Sequence, residues 1–148
     1  MSSLSAFLNP LPVSEQKEVV ISKRFVKRDE KGQPLLDENG KMIPEPFVIR
    51  ALTQEENDAL VKAATKVEVK NGHRMDYLDN VEYNRRVIVA ATVFPDFTSK
   101  ELCDALGVVS PLLAPGKMLR TGEYNRLMDE VASVAGLMDD DMEEEVKN

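Results

Sequence analysis

Residues 47–56 read FVIRALTQEE and join a β-strand pattern directly to the start of a helix. The β-branched and aromatic residues at 47–52 are typical of a strand. Thr53 and Glu56 have the spacing of a capping box, in which each side chain accepts a hydrogen bond from the backbone N–H of the other residue. This stretch therefore predicts a strand that leads at once into a helix, as in a mixed α and β fold.

A partner strand is predicted upstream at residues 18–26, where β-branched and aromatic residues alternate with polar ones. The polar segment at 27–41 carries Gly32 and Gly40, which suit the positive φ angles of turns. We expect the two strands to pair as a long-looped hairpin. Because an isolated pair of strands is only marginally stable in water, helices must cover one of its faces.

Four to five helices are predicted between residues 54 and 136. Residues 67–74 interrupt them and are interpreted as a connection, although their alternation would also suit a brief extra strand. The predicted segments after this connection are a central helix at 76–92, a short helix from Thr98 or Ser99 to Leu106, a turn or short helix at 111–118, and a last helix that ends at Gly136.

The predicted architecture is α+β, with the N-terminal hairpin packed beside the helices. We divide the chain into an apolar, mobile arm at residues 1–14, one domain at 15–137 and an acidic tail at 138–148. The domain contains the hairpin at 18–52 and the helices at 54–136. The tail should be disordered, since its block of charge cannot be ordered by burial.

Composition narrows the class of partner. The 148 residues carry a formal net charge of -7, which argues against sequence-independent binding of nucleic acid or of an anionic membrane surface. The longest uninterrupted apolar stretch, residues 87–91, is far too short to span a membrane. We therefore expect a cytoplasmic protein whose partners are other proteins.

The sequence contains no recognisable set of residues for catalysis, for a cofactor or for a metal. His73 is the single histidine and Cys103 the single cysteine, so neither a triad nor a local zinc site can be built around them. A small enzyme that uses dispersed carboxylates, such as Asp76, Asp79, Glu82 and Asp96, would need a pocket that raises their pKa values. We predict a non-catalytic protein.

Two apolar stripes are the candidate protein-binding residues. In the arm, the stripe precedes two prolines and has helical spacing; it can dock on its own core, on a neighbouring subunit or on a client. The second stripe lies on the last helix, where methionine suits an adaptable contact surface. The candidates are Leu4, Phe7, Leu8 and Leu11 in the arm, and Tyr124, Leu127, Met128 and Val131 in the last helix.

The chain resembles the XkdN-like tail assembly chaperones of phages and prophages, through short segments whose order and spacing span nearly its whole length. These segments are Phe7-Leu8, Val19–Phe25, residues 47–53 with Glu55-Glu56, Tyr83 with Arg86, Ala90-Ala91, Pro95-Asp96-Phe97, Glu101-Leu102 with Gly107-Val108, Met118-Leu119, and Gly122-Glu123-Tyr124 with Leu127.

The resemblance implies a non-enzymatic protein that binds the long tape measure protein and keeps it soluble until tail tube subunits polymerise around it. It also implies work in the cytoplasm of the bacterial host, absence from the mature virion, and self-association into an oligomer. A different interpretation stays open: an adaptor or regulator that forms a one-to-one complex with a single helical client. Stoichiometry distinguishes the two.

Overall fold

The structure is a computed structural model that describes residues 4–10 and 16–136. Leu11 of the predicted arm and the acidic residues 138–148 lie outside the described residues. In chain order the elements are α1 (Ser5–Leu8), β1 (Gln16–Val19), β2 (Phe47–Arg50), α2 (Gln54–Ala64), β3 (Thr65–Lys70), β4 (His73–Leu78), α3 (Asn80–Ala91), β5 (Thr92–Phe94), α4 (Lys100–Leu106), a 3₁₀-helix (Pro111–Leu113), α5 (Ala114–Met118) and α6 (Thr121–Val134).

The predicted α+β class and the N-terminal strand pair are confirmed. β2 is the centre of an antiparallel sheet, with β1 on one side and β5 on the other. Phe47 and Ile49 of β2 are buried, and Val48 between them is half-buried. β1 ends at Val19 and not at residue 26, because the chain leaves the sheet there; Ile21 nevertheless stays in the core.

Residues 25–45 form a closed ring of backbone hydrogen bonds, which the sequence did not lead us to expect. Lys27 N donates to Ile43 O (2.8 Å), Ile43 N to Leu35 O (3.0 Å), and Leu35 N to Lys27 O (2.8 Å). The three residues are spaced eight apart along the chain, and the sequence carries the same period, since Asp29-Glu30-Lys31-Gly32 recurs as Asp37-Glu38-Asn39-Gly40. Each of the three uses both its N–H and its C=O inside the ring.

The corners of this ring are two turns of the same design. The Oδ1 atoms of Asp29 and Asp37 each accept hydrogen bonds from backbone N–H groups two and four residues further on, at 2.8–3.0 Å. Gly32 and Gly40 close the turns with φ angles of 81° and 76°. The turns predicted at these two glycines are confirmed.

The interpretation of residues 67–74 as a connection is wrong. β3 and β4 pair over their full length, from Thr65 opposite Leu78 to Lys70 opposite His73. Asn71 and Gly72 both have positive φ, which is the geometry of a type I′ hairpin turn. The predicted helix at 76–92 accordingly begins only at Asn80, because residues 73–78 are strand.

α6 packs against β1 and β2, and α3 packs against β5. The capping box at Thr53, the Ser99 cap and the left-handed Gly107 that ends α4 are all as predicted. The predicted turn or short helix at 111–118 is helical throughout, because the 3₁₀-helix runs directly into α5, and Pro115 and Gly116 lie inside α5. The fully or nearly fully buried core side chains are Ile21, Phe47, Ile49, Ala64, Ile88, Ala91, Phe97, Ala114, Leu127 and Val131.

Within the described ranges, no helix combines the length and the apolar character needed to cross a membrane.

Candidate protein-binding surface

The arm residues within the described part of the chain are exposed. Leu4, Phe7 and Leu8 retain 71%, 79% and 68% of their surface, on and beside the single helical turn α1. Their side chains therefore do not pack on the core of their own chain. Leu11, the fourth predicted arm residue, lies outside the described residues.

The four predicted residues of α6 fall into two groups. Leu127 is fully buried and Val131 retains 4% of its surface, so both pack in the core. Tyr124 and Met128 are half-buried, and they open onto two different grooves. α6 thus contributes to both grooves while its central residue, Leu127, holds it to the fold.

The first groove, which we call the basic-rimmed groove, lies between α3, α6 and the 111–118 segment and has a volume of about 590 Å³. Val81, with 61% of its surface exposed, and Leu113, with 41%, leave much of this wall open to solvent. The charged residues of the groove are both cations. Its lining is Val81, Asn84, Arg85, Val108, Leu112, Leu113, Gly116, Lys117 and Tyr124.

Tyr124 and Arg85 are electrostatically linked across this groove. Burial raises the pKa of the Tyr124 phenol above its usual range, and the positive charge of Arg85 offsets part of that rise. The phenol therefore stays neutral at physiological pH. A partner side chain in this groove meets apolar surface, a neutral hydroxyl and two cationic groups, Arg85 and Lys117.

The second groove, which we call the uncharged groove, lies between the start of α2, α3 and α6 and has a volume of about 250 Å³. Its floor is apolar, and the amide groups of Gln54 and Asn57 lie at its edge. Tyr83 Oη donates a hydrogen bond to Asn57 Oδ1 and ties α3 to α2 beside the opening. The lining is Leu52, Thr53, Gln54, Asn57, Tyr83, Val87, Met128, Val131, Ala132 and Ala135, and none of these side chains carries a charge.

An ion pair fixes α6 relative to the sheet side of the domain. Arg24 Nε and Nη2 donate to the two carboxylate oxygens of Glu123 at 2.8 and 2.7 Å, and Nη2 also donates to Met118 O at 2.6 Å. The Arg24 guanidinium holds the pKa of Glu123 far below its usual range, with further hydrogen bonds from Ser22 and from the backbone of Arg120. This clamp positions the N-terminus of α6, and with it Tyr124.

Two of the carboxylates considered for an enzyme, Glu82 and Asp96, have lowered pKa values. A hydrogen bond from Lys66 lowers the pKa of Glu82, and hydrogen bonds from Thr98 lower the pKa of Asp96. Both shifts stabilise the charged form, which is opposite to the raised pKa that a general acid needs. Among the described residues, no group of three or more His, Cys, Asp or Glu side chains could hold a metal ion.

Sequence reasoning missed most of the basic-rimmed groove. Val81 and Arg85 are one helical turn apart on α3, a spacing visible in the sequence, but the spacing alone does not tell whether that face of the helix meets the core or solvent. Leu112 and Leu113 follow Pro111 in a segment that had no periodicity to interpret. Only the folded chain brings these residues to Tyr124.

Comparisons with known proteins agree with this fold and with the resemblance drawn from the sequence. A family model described as phage XkdN-like tail assembly chaperone protein matches residues 4–148. Two relatives from Bacillus subtilis (strain 168), the phage-like element PBSX protein XkdN and the uncharacterized protein YqbN, are each 34% identical over 139 residues, covering 91% of this chain and 86% and 85% of theirs.

The crystal structure of the protein YqbN matches with a TM-score of 0.67 at 29% identity, covering 92% of this chain and 98% of that one. The sequence match and the structural match each cover more than nine-tenths of this chain. The chain belongs to the family of phage XkdN-like tail assembly chaperones.

Proposed function

We propose that this tail assembly chaperone binds the tape measure protein and keeps it soluble during tail assembly, without catalysis. The observation that carries the proposal is the basic-rimmed groove: on a chain of net charge -7, it joins exposed apolar residues to Arg85 and Lys117, and none of the described residues that line it is acidic. Family membership supplies the setting, which is the assembly of a phage tail.

The chemistry of the groove indicates what kind of client segment it accepts. Helix-in-groove binding places the apolar side chains of an amphipathic helix into an apolar channel. Val81, Leu112 and Leu113 provide such a channel, and the two cations favour carboxylates on the flanks of the client helix. We therefore propose that the client segment is an amphipathic helix whose apolar stripe is bordered by acidic residues.

The remaining surface supports the solubilising part of this role. With 26 Asp and Glu residues against 19 Lys and Arg, the chain has a net negative exterior that disfavours aggregation of coated clients. A small chaperone covers only a short part of a long client, so many copies bind along it. We place this work in the host cytoplasm and expect tail tube subunits to displace the chaperone, which then does not enter the virion.

The test is co-expression of the chain with the tape measure protein of the same phage or prophage, followed by affinity purification and light scattering. The wild-type chain should keep the client soluble in a complex with many copies per client. Arg85→Glu should reduce the recovered client by about tenfold or more, because it reverses a charge in the groove and repels acidic flanks.

Lys31→Glu is the matched control, because it makes the same change of charge at the exposed turn of residues 29–33. It should recover as much client as the wild-type chain. If Arg85→Glu and Lys31→Glu behaved alike, the basic-rimmed groove would not be the client site. A mass of one chaperone per client would instead favour the one-to-one adaptor.

A further inference from the structure

We propose that the N-terminal arm of one copy of this chain docks in the uncharged groove of a second copy. This contact would join chaperones to each other, at a place separate from the basic-rimmed groove. It would exist whether or not the client is the tape measure protein.

The arm is apolar and exposed, so burial against another surface would stabilise it. Residues 1–14 contain no charged side chain, although 30% of the whole chain is charged. Leu4, Phe7 and Leu8 lie exposed around a helix of four residues. A single turn of helix is not stable alone in water, and three large apolar side chains gain free energy when a surface covers them.

The uncharged groove has the matching chemistry. Val87, Met128 and Val131 form an apolar floor, and charged side chains are missing from its lining. An acidic or basic client segment would lose hydration there without gaining an ion pair. An apolar segment without charge avoids this loss of hydration. The amides of Gln54 and Asn57 can also form hydrogen bonds with the free backbone groups at the ends of a short helix.

The position of β1 favours a second copy over the same chain. Lys17 of β1 lies against Glu130 of α6, with Nζ and Oε2 3.1 Å apart. Met128 and Ala132 line the uncharged groove, and each is two residues from Glu130, which puts it on the opposite side of the helix. The strand that follows the arm thus lies on the side of α6 turned away from its own groove.

Such a contact would repeat. Each copy would donate one arm and receive one, which is a head-to-tail interface; it closes into a ring or continues as an open chain according to its rotation. Successive copies joined in this way would suit a chaperone that follows a long client. We therefore expect a change in either the arm or the groove to weaken the same contact between copies.

The test uses the purified full chain without any client, with light scattering over a range of concentrations. The wild-type chain should exceed the monomer mass of 16.6 kDa as its concentration rises. Phe7→Glu in the arm and Ala132→Glu in the groove should each raise the concentration needed for association by about tenfold or more. Ser133→Glu, which places the same charge beside the groove, and Ala6→Ser, which changes the arm without adding a charge, should both associate like the wild-type chain.

Mixing the two defective variants gives the sharpest readout. Phe7→Glu retains an intact groove and Ala132→Glu retains an intact arm, so the pair can form one contact and then stop. At a concentration at which the wild-type chain associates, each variant alone should be a monomer, and the mixture should give a dimer. A variant that had merely unfolded could not restore association.

The proposal is overturned if the wild-type chain stays monomeric at every concentration, as it would if the arm lay in its own groove or served a different protein. It is also overturned if the mixture remains monomeric, or if the control variants dissociate as readily as Phe7→Glu and Ala132→Glu. Because no client is present, none of these results depends on which client the basic-rimmed groove binds.

Discussion

Glu56 connects the sheet to the first long helix through two sets of hydrogen bonds. Its Oε1 accepts from Thr53 N (3.0 Å), which completes the capping box of α2, and its carboxylate accepts from Arg50 Nη1 and Nη2 at 3.1 and 2.6 Å. Arg50 Nε in turn donates to Ala90 O of α3 at 3.2 Å. The hydrogen bonds from Arg50, with that from Thr53, lower the pKa of Glu56 from near 4.5 to about 2.

This shift predicts how stability depends on pH. The folded carboxylate holds its charge to a lower pH than the unfolded one, so its stabilisation is complete above about pH 4.5 and is lost as the pH falls to about 2. Glu56→Gln keeps a side chain that can cap α2 but removes the charge. The variant should be less stable than the wild-type chain at about pH 7, and the difference should shrink at about pH 2.5.

Urea unfolding followed by circular dichroism at the two pH values measures this effect. Glu55→Gln, which changes an exposed carboxylate one position earlier in the same helix, should not show the convergence. An equal difference between Glu56→Gln and the wild-type chain at both pH values would contradict the prediction.

Leu127 shows the limit of an apolar stripe as a sign of binding. Its spacing with Tyr124 and Met128 identified one face of α6 correctly, but spacing cannot tell whether a face meets the core or a partner. In the fold, Leu127 is fully buried while its two neighbours on the stripe are half-buried.

Leu127→Ala should therefore act on stability. Removing a fully buried leucine side chain leaves a cavity and should lower the free energy of unfolding by about 2–5 kcal/mol. Met128→Ala, at a half-buried position on the same helix, should cost clearly less. Urea denaturation of both variants measures these free energies of unfolding. A loss below about 1 kcal/mol for Leu127→Ala would mean either that neighbouring side chains fill the cavity or that Leu127 does not lie in the core.

Among the elements, those defined by local signals were predictable from the sequence. The start of α2 and both ends of α4 depend on Thr53, Ser99 and Gly107, whose side chains or φ angles act within four residues of their own position. The strand pair β1–β2 followed from its apolar pattern, although β1 is shorter than predicted.

The β3–β4 hairpin was missed for a physical reason. The alternation at residues 67–70 suited a strand but covers only four residues, and in the fold every residue from Val67 to Leu78 is exposed, so no buried apolar face reinforces it. Two of the hairpin's apolar residues, Tyr77 and Leu78, also continue the helical stripe of α3. The Asn71-Gly72 turn was the decisive local signal, and it was interpreted as a break.

The hairpin should open independently of the core, since its strands pair mainly with each other. Gly72→Val places a β-branched residue at φ 77°, a conformation that costs L-residues about 1–2 kcal/mol. Amide hydrogen exchange should speed up by about tenfold in β3 and β4, while β2 and α3 keep their protection. Hydrogen-exchange mass spectrometry resolves these segments.

Asn71→Gly is the control for this variant, because glycine accepts the positive φ that Asn71 has in the turn. It should leave exchange in the hairpin nearly unchanged. If Gly72→Val accelerated exchange equally in α3, the hairpin would be part of the cooperative core and the prediction would be wrong.

For the whole molecule, the sequence predicted the class of fold and the family, and it predicted too little about the grooves. A groove is set by where helices cross, and that depends on contacts such as Arg24–Glu123, 99 residues apart along the chain. The arm was identified from its apolar residues and their spacing, because those properties belong to one short segment. Val81 lies in a different segment from Leu113 and Lys117, so only the fold brings the three together.

The closed ring at residues 25–45 bears on the entropic cost of pairing β1 with β2 during folding. β1 and β2 are separated by residues 20–46, and closing so long a loop before any strand contact forms is entropically costly. Once the ring has formed from contacts eight and sixteen residues apart, Glu45 N is bonded to Phe25 O at 2.8 Å and the Phe25 and Phe47 rings lie 5.7 Å apart. The two strands then start from adjacent positions, so a pairing that is distant in the sequence becomes a local event in folding.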